Sequence, residues 1–146
     1  MPKQRLPKQI LALFPHLNSL NHFVTSAADA RYNCAAWAAN DTKRWWDRFQ
    51  YWPPDAERTD SLAAAQGAFA SIGFVPCEDG KIEAGVEKIA IYESDGRWKH
   101  VARQLPDGHW TSKLGQAQDI CHRTVGALFS DAYGRSVVFM RRPPQA

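Results

Sequence analysis

Residues 88–113 read KIAIYESDGRWKHVARQLPDGHWTSK, a run in which apolar and polar side chains alternate. Alternation with a period of two is typical of β-strands. Two turn sequences, SDG at 94–96 and PDG at 106–108, each suit a three-residue hairpin loop that ends in a left-handed glycine. The run therefore predicts an antiparallel meander with strands over 88–93, 97–105 and 109–113.

The loop lengths also predict which side chains share a face of this meander. Three-residue loops place Gln104 opposite Trp110 and Ala90 opposite His100, with Ser112 on a diagonal from His100. The predicted face comprises Ala90, Tyr92, Trp98, His100, Ala102, Gln104, Trp110 and Ser112. The small residues beside His100 leave room for a helix to dock on this face. A two-residue loop would bring Lys113, in place of Ser112, onto the His100 face.

Upstream of the meander, residues 31–39 read RYNCAAWAA, which predicts a helix that begins at Cys34 and extends over 34–48. Asn33 is a strong N-cap residue. The positive end of a helix dipole favours thiolate over thiol, so we expect Cys34 to be activated. A second helix is predicted with Thr59 or Asp60 as its cap, an apolar stripe of Leu62, Ala65, Phe69 and Ile72, and an end at Gly73. Residues 136–140 are predicted to be the last strand.

Length and composition indicate one globular domain. The chain has 146 residues, 45% of them hydrophobic, and a net charge of +3 that is scattered along the sequence. We expect an N-terminal extension over 1–30 that is partly ordered, a single domain over 31–142 and a tail over 143–146. Three cysteines without paired spacing do not predict disulfides. No signal peptide or membrane span is recognised, so a cytoplasmic location is expected.

The segments YNCAAWA (32–38) and HVARQLPDGHWTSKLG (100–115) resemble the papain-like superfamily, and its NlpC-type amidases in particular. Together with His122 and Tyr133-Gly134 they also resemble an uncharacterised bacterial domain family. The resemblance implies an α+β fold of papain-like, NlpC type, in which N-terminal helices pack on an antiparallel β-sheet. It also implies a site built from a cysteine and a histidine.

The leading hypothesis is a cysteine hydrolase or acyl transferase that acts on amide, peptide or thioester bonds. Cys34 would be the nucleophile, His100 the general base and then acid, and Ser112 the residue that orients His100. The predicted oxyanion and cleft residues are Tyr32, Asn33, Trp37, Trp98, Gln104 and Trp110, and two further candidates are Lys113 and His122.

Two other classes of function remain open. The first is a catalytically inactive papain-like domain that serves as a binding or interaction module, and the second, less favoured, is a nucleic-acid-binding module. A zinc site is not predicted, because no CxxC or HxxxH spacing accompanies Cys34, His100, Cys121 and His122. No cofactor and no membrane partner is expected. The sequence leaves the substrate and the oligomeric state open.

Overall fold

The structure is a computed structural model that describes residues 5–143. Residues 1–4 of the predicted extension and 144–146 of the predicted tail lie outside the described residues. The strands are β1 (His22–Ser26), β2 (Val75–Cys77), β3 (Glu87–Ser94), β4 (Arg97–Gln104), β5 (Trp110–Lys113), β6 (Asp119–His122) and β7 (Ser136–Arg142). They form one seven-stranded sheet in the order β1-β6-β5-β4-β3-β7-β2, and every described pairing is antiparallel.

The helices of the described chain are short. They are α1 (Lys8–Leu11), α2 (Cys34–Ala38), α3 (Leu62–Ala70) and a 3-10 helix (Val125–Leu128). The predicted helix over 34–48 is wrong in length, because Asn40 adopts a left-handed backbone (φ 65°) that ends the helix. The second helix is confirmed as Leu62–Ala70, with Gly73 (φ 101°) just beyond it, but the predicted cap is wrong, because Ser61 and not Thr59 or Asp60 caps the helix.

The predicted papain-like architecture is therefore wrong. The regular structure is mostly a single antiparallel sheet, and its few short helices do not form the N-terminal helical layer that the resemblance implied. The predicted meander is confirmed as β3, β4 and β5, although the chain continues it through β6. The edge strand β1 lies inside the stretch that was expected to be an extension.

One predicted hairpin loop is confirmed and the other is wrong. Gln104 lies opposite Trp110, as the three-residue PDG loop requires. At the other turn Ser94 pairs with Arg97, which leaves a two-residue loop whose Asp95 and Gly96 both have positive φ (54° and 77°). This is the pattern of a type I′ turn, which matches the twist of the flanking strands.

A β-bulge in β4 then shifts the register. Tyr92 lies opposite His100 and Glu93 lies opposite Trp98, so Lys99 has no partner in the ladder. Trp98 consequently leaves the predicted His100 face. It packs on the other side of the sheet against Trp52, with ring centroids 5.7 Å apart.

The sheet separates two cores. The helix-side core joins Ile89, Ile91 and Val101 to α2 and α3. The His100-side core surrounds Tyr92 and Ala102 with the 3-10 helix and with residues 5–21, named here the N-terminal segment. The expectation that the Cys34 helix docks on the His100 face is wrong, since the alanines of α2 pack in the helix-side core. Within the described residues, no helix has both the length and the apolar character that crossing a membrane requires.

Candidate functional site

Cys34 is the first residue of α2, and Asn33 holds the start of that helix in place. The Asn33 side chain accepts hydrogen bonds from the backbone N–H of Ala36 (3.2 Å) and of Trp46 (3.1 Å). Its amide also donates to the Trp46 carbonyl at 2.7 Å. The predicted N-cap is confirmed, and the same side chain ties the helix to the loop that follows it.

The Cys34 sulfur is buried, and backbone amides lie near it. The amides of Val101, Ala35 and Cys34 itself favour the thiolate and so act to lower the pKa of the thiol. Burial acts in the opposite direction and is the larger effect, so the pKa of the Cys34 thiol rises from 9.0 to about 11. The expectation of a lowered pKa is therefore wrong for this closed form, in which Cys34 is a neutral thiol at pH 7.

His100 is fully buried, and neither ring nitrogen has a hydrogen-bond partner among the described residues. Its ring stacks on Tyr133, with centroids 4.2 Å apart and planes 7° from parallel, and meets Tyr92 edge-on at 5.2 Å. Burial, reinforced by nearby His122, holds the pKa of His100 well below 6.5. His100 is thus a neutral imidazole, and it makes no hydrogen bond to Cys34.

Ser112 contacts His122, not His100. Its hydroxyl lies 2.8 Å from His122 Nε2, and the other ring nitrogen donates to the Thr124 carbonyl at 2.8 Å. Burial lowers the pKa of His122 to about 4, so Nε2 accepts from the Ser112 hydroxyl. The ladder between β4 and β5 stops after Arg103 opposite Thr111, so Ser112 is paired only with β6.

Lys113 is buried near the sulfur. Its Nζ donates to the carbonyls of Asp29 and Gly115, each at 2.5 Å, and lies 4.9 Å from the centre of the Tyr32 ring. Burial lowers the pKa of Lys113, while its charge lowers the pKa of Cys34. Lys113 belongs to the cluster as a nearby cation.

Tyr133 links the two predicted catalytic residues. It stacks on His100, and it lies near enough to Cys34 for a thiolate there to raise its pKa, which burial already raises strongly. No role in the site was predicted for Tyr133, although it belongs to the Tyr133-Gly134 motif. An aromatic residue beside a glycine has no chemical pattern of its own, so only the motif pointed to it.

The predicted cleft residues do not line a single cleft. Tyr32 stacks on Trp37 at 6.1 Å on the helix side, where Trp98 also packs. Trp110 lies in the His100-side core, 6.0 Å from Phe139 between ring centroids. Gln104 donates to the Gly80 carbonyl at 2.6 Å and so fixes a loop.

The N-terminal segment covers the His100 side of this cluster. Its buried side chains are Leu6, Phe14 and Leu17. The Phe14 ring lies 5.0 Å from Tyr133, on which His100 stacks. Two surface pockets of about 630 and 470 Å³ lie elsewhere, and neither is lined by Cys34 or His100. The cluster is therefore closed in this structure.

Neither metal-binding side chains nor acidic side chains form a second candidate site in the described part of the chain. Within residues 5–143, no group of three His, Cys, Asp or Glu side chains is arranged to hold a metal ion. Asp119, which the sequence analysis did not single out, accepts hydrogen bonds from the hydroxyls of Thr25 and Ser26. This contact joins β1 to β6 and has a structural role.

A family model described as a domain of unknown function (DUF7689) matches residues 23–141. No curated protein matches the chain. No solved structure matches it either.

Proposed function

The chain belongs to the family described as a domain of unknown function (DUF7689), and we propose that it is a cysteine hydrolase or acyl transferase whose site is closed in this structure. Cys34 is the nucleophile and His100 the group that takes and returns its proton. The proposal concerns the site alone and does not depend on a papain-like fold.

A buried histidine with two unpaired nitrogens supports this proposal most directly. Each unsatisfied buried polar atom costs about 1–3 kcal/mol. Such exceptions are rare, and they cluster at sites where a later partner or reaction uses the group. His100 carries two, and the backbone amide of Val101, the residue next to it, lies near enough to the Cys34 sulfur to favour its thiolate.

The surrounding groups supply the other requirements of thiol chemistry. The three amides at the sulfur favour the thiolate, and Lys113 adds a nearby positive charge. The sulfur attacks an acyl carbon as its proton passes to His100, and His100 gives that proton to the leaving group as the bond to it breaks, which leaves an acyl thioester on Cys34. Water or a second acceptor then attacks the thioester carbonyl and gives its proton to His100, which returns it to the sulfur as the carbon–sulfur bond breaks.

The closed form must open for this reaction to occur. The N-terminal segment lies outside the residues that the family model matches, and it packs on Tyr133 through Phe14. Its displacement would uncover the Tyr133 and His100 rings, and solvent entry would remove the burial that raises the thiol pKa.

The test is the rate of nitrophenolate release from p-nitrophenyl acetate, with acetylation located by peptide mass mapping. We expect an acetyl thioester at Cys34 and loss of turnover in Cys34→Ser. Cys77→Ser, a change at a partly exposed cysteine, serves as the matched control and should retain the rate. His100→Gln should lower the rate about 10²- to 10⁴-fold, the usual contribution of a general base.

Two results would contradict the proposal. One is a Cys34→Ser protein that folds and releases nitrophenolate as fast as the native protein. The other is acetylation of Cys77 or Cys121 in preference to Cys34. Thermal unfolding of each variant separates loss of chemistry from loss of the fold.

A binding module is the second candidate, favoured by one observation. The pKa of the Cys34 thiol, at about 11, makes the closed form unreactive, while a pocket of about 470 Å³ is open at the other end of α2. Binding of a ligand in this pocket, together with no cleavage of thioesters or activated esters, would identify the protein as a binding module.

A further inference from the structure

The pocket of about 470 Å³ lies beyond the C-terminal end of α2. Its volume falls within the range of about 300–1,000 Å³ that is usual for small-molecule sites. Apolar side chains form much of its lining, among them Phe74, Ile82, Val86, Leu105 and Pro106. Ile82 is 53% exposed although it is a large apolar residue. An apolar wall that faces solvent is available to a ligand.

Two of the three cations that line the pocket are already paired with carboxylates. Lys88 Nζ lies 2.7 Å from Glu83 Oε2, and it also donates to the Asp79 carbonyl at 3.0 Å. The Arg142 guanidinium bonds to Glu87 and donates to the Ile72 carbonyl at 2.8 Å. The carboxylates of the pocket are thus neutralised and do not repel an incoming anion.

Arg103 is the third cation, and within residues 5–143 it has no carboxylate partner. Its Nη1 donates to the Trp37 carbonyl at 3.2 Å and to Asn40 Oδ1 at 3.4 Å. Its guanidinium carbon lies 4.3 Å from the centre of the Trp37 ring, so the plane is held in place. An arginine has five N–H donors, so the Nε and Nη2 edge of Arg103 has no acceptor in the described part of the chain.

We propose that this pocket binds a carboxylate that carries a short apolar group. The carboxylate would accept two parallel hydrogen bonds from the free edge of Arg103, the fork geometry that arginine forms with carboxylates. The apolar group would lie against Phe74, Ile82 and Val86. The same chemistry occurs in a free small acid and in the C-terminal residue of a peptide.

The balance of charge favours a single negative charge on the ligand. Three cations and two carboxylates line the pocket, which leaves one positive charge. Burial lowers the pKa of Arg103, while the nearby carboxylates of Glu87 and Asp119 act to raise it. This inference does not rest on the proposed chemistry at Cys34.

Isothermal titration calorimetry with hexanoate, and with hexanamide as the uncharged analogue, tests the proposal. We expect hexanoate to bind and hexanamide to bind at least about tenfold more weakly, because a charge-assisted hydrogen bond contributes about 1.5–3 kcal/mol. Arg103→Gln should weaken hexanoate by a similar factor. Lys99→Gln removes the same charge from the same strand at an exposed position and should leave binding unchanged.

Arg103→Lys is a second variant, which tests the proposal even if Arg103→Gln fails to fold. It keeps the charge without the fork, and several-fold weaker binding is expected from a protein with native thermal unfolding. A blocked dipeptide that ends in leucine distinguishes the sources, since tighter binding than hexanoate identifies a peptide C-terminus and weaker binding identifies a free acid. Cys34→Ala should bind as the native protein does, even if the hydrolase proposal fails.

Equal binding of hexanoate and hexanamide would overturn the inference. So would an Arg103→Gln variant that folds and binds hexanoate as tightly as the native protein, or the absence of heat from hexanoate at millimolar protein and ligand concentrations.

Discussion

At the scale of single residues, two buried histidines differ in one respect: among the described residues His122 has both ring nitrogens hydrogen-bonded, whereas His100 has neither. Both are fully buried, and burial lowers both pKa values. A structural role accounts for the burial of His122, because its hydrogen bonds to Ser112 and Thr124 replace the hydrogen bonds to water that burial removes. It does not explain His100, which is why we assign that residue a function.

The contrast between the two histidines predicts opposite effects of one substitution. His100→Leu removes two unsatisfied atoms and should raise the free energy of unfolding by about 1–2 kcal/mol, while it abolishes the proposed activity. His122→Leu leaves the Ser112 hydroxyl and the Thr124 carbonyl unpaired, and should lower the free energy of unfolding by about 1–3 kcal/mol. Urea unfolding of both variants measures the difference. Equal destabilisation would show that His100 is a structural residue.

Burial of the Cys34 sulfur predicts a loss of stability at alkaline pH. The pKa of the thiol is 9.0 in its ordinary state and about 11 in the folded protein. Between these values the folded chain holds a proton that the unfolded chain releases, so rising pH favours unfolding. The shift corresponds to about 3 kcal/mol. The difference in unfolding free energy between the native protein and Cys34→Ala should change by most of this amount, about 2 kcal/mol, from pH 9 to pH 11. Parallel curves would contradict the burial of the sulfur.

At the scale of single elements, the bulge in β4 determines the composition of both faces of the sheet. With Lys99 unpaired, Trp98 and His100 point to opposite cores although they stand two positions apart. The sequence predicts strands on either side of the Ser94 turn but contains no pattern that marks the extra residue. A shift of one residue reverses the face of each side chain beyond it, so the site depends on this bulge.

The N-cap Asn33 of α2 should contribute more to the free energy of unfolding than the N-cap Ser61 of α3. Asn33→Ala removes the bond to Ala36 and both bonds to Trp46, in a buried setting. We expect a loss of about 3 kcal/mol in unfolding free energy. Ser61→Ala is the matched control, because Ser61 caps α3 through one bond to Ala64 at 3.0 Å, and it should lose about 1 kcal/mol. Chemical denaturation compares the two, and equal losses would mean that the Trp46 bonds contribute nothing.

At the scale of the whole molecule, one sheet with a core on each side places the helix of Cys34 and the ring of His100 on opposite faces. Tyr133 stacks on His100 and also lies near Cys34. The backbone amide of Val101, in the strand that carries His100, lies near the sulfur and acts to lower the pKa of the thiol. The N-terminal segment then covers the His100 side.

Removal of one side chain from that cover should expose the site. Phe14→Ala should lower the free energy of unfolding by about 3 kcal/mol and should accelerate iodoacetamide labelling of Cys34 relative to Cys121. Leu13→Ala is the matched control, since Leu13 is 48% exposed and its loss should change stability by less than about 0.5 kcal/mol. Mass mapping of the labelled cysteines measures the ratio. Destabilisation without faster labelling of Cys34 would show that the segment does not control access.

The local chain was sufficient to predict the strands of the meander, the PDG hairpin, the second helix and the Asn33 cap. Each depends on residues within a few positions of one another, such as the proline and glycine around Asp107 or the side chain of Asn33 and the amide of Ala36. Period, turn chemistry and capping act over that range, and the sequence displays them directly.

Long-range packing decided the rest of the site. Ser112 bonds to His122 because β5 leaves β4 and pairs with β6, and His100 stacks on Tyr133, which is 33 positions further along the chain. The thiol pKa rises because distant segments exclude water from the sulfur. These outcomes depend on which face each strand buries and on what covers it, and no pattern within a single strand contains that information.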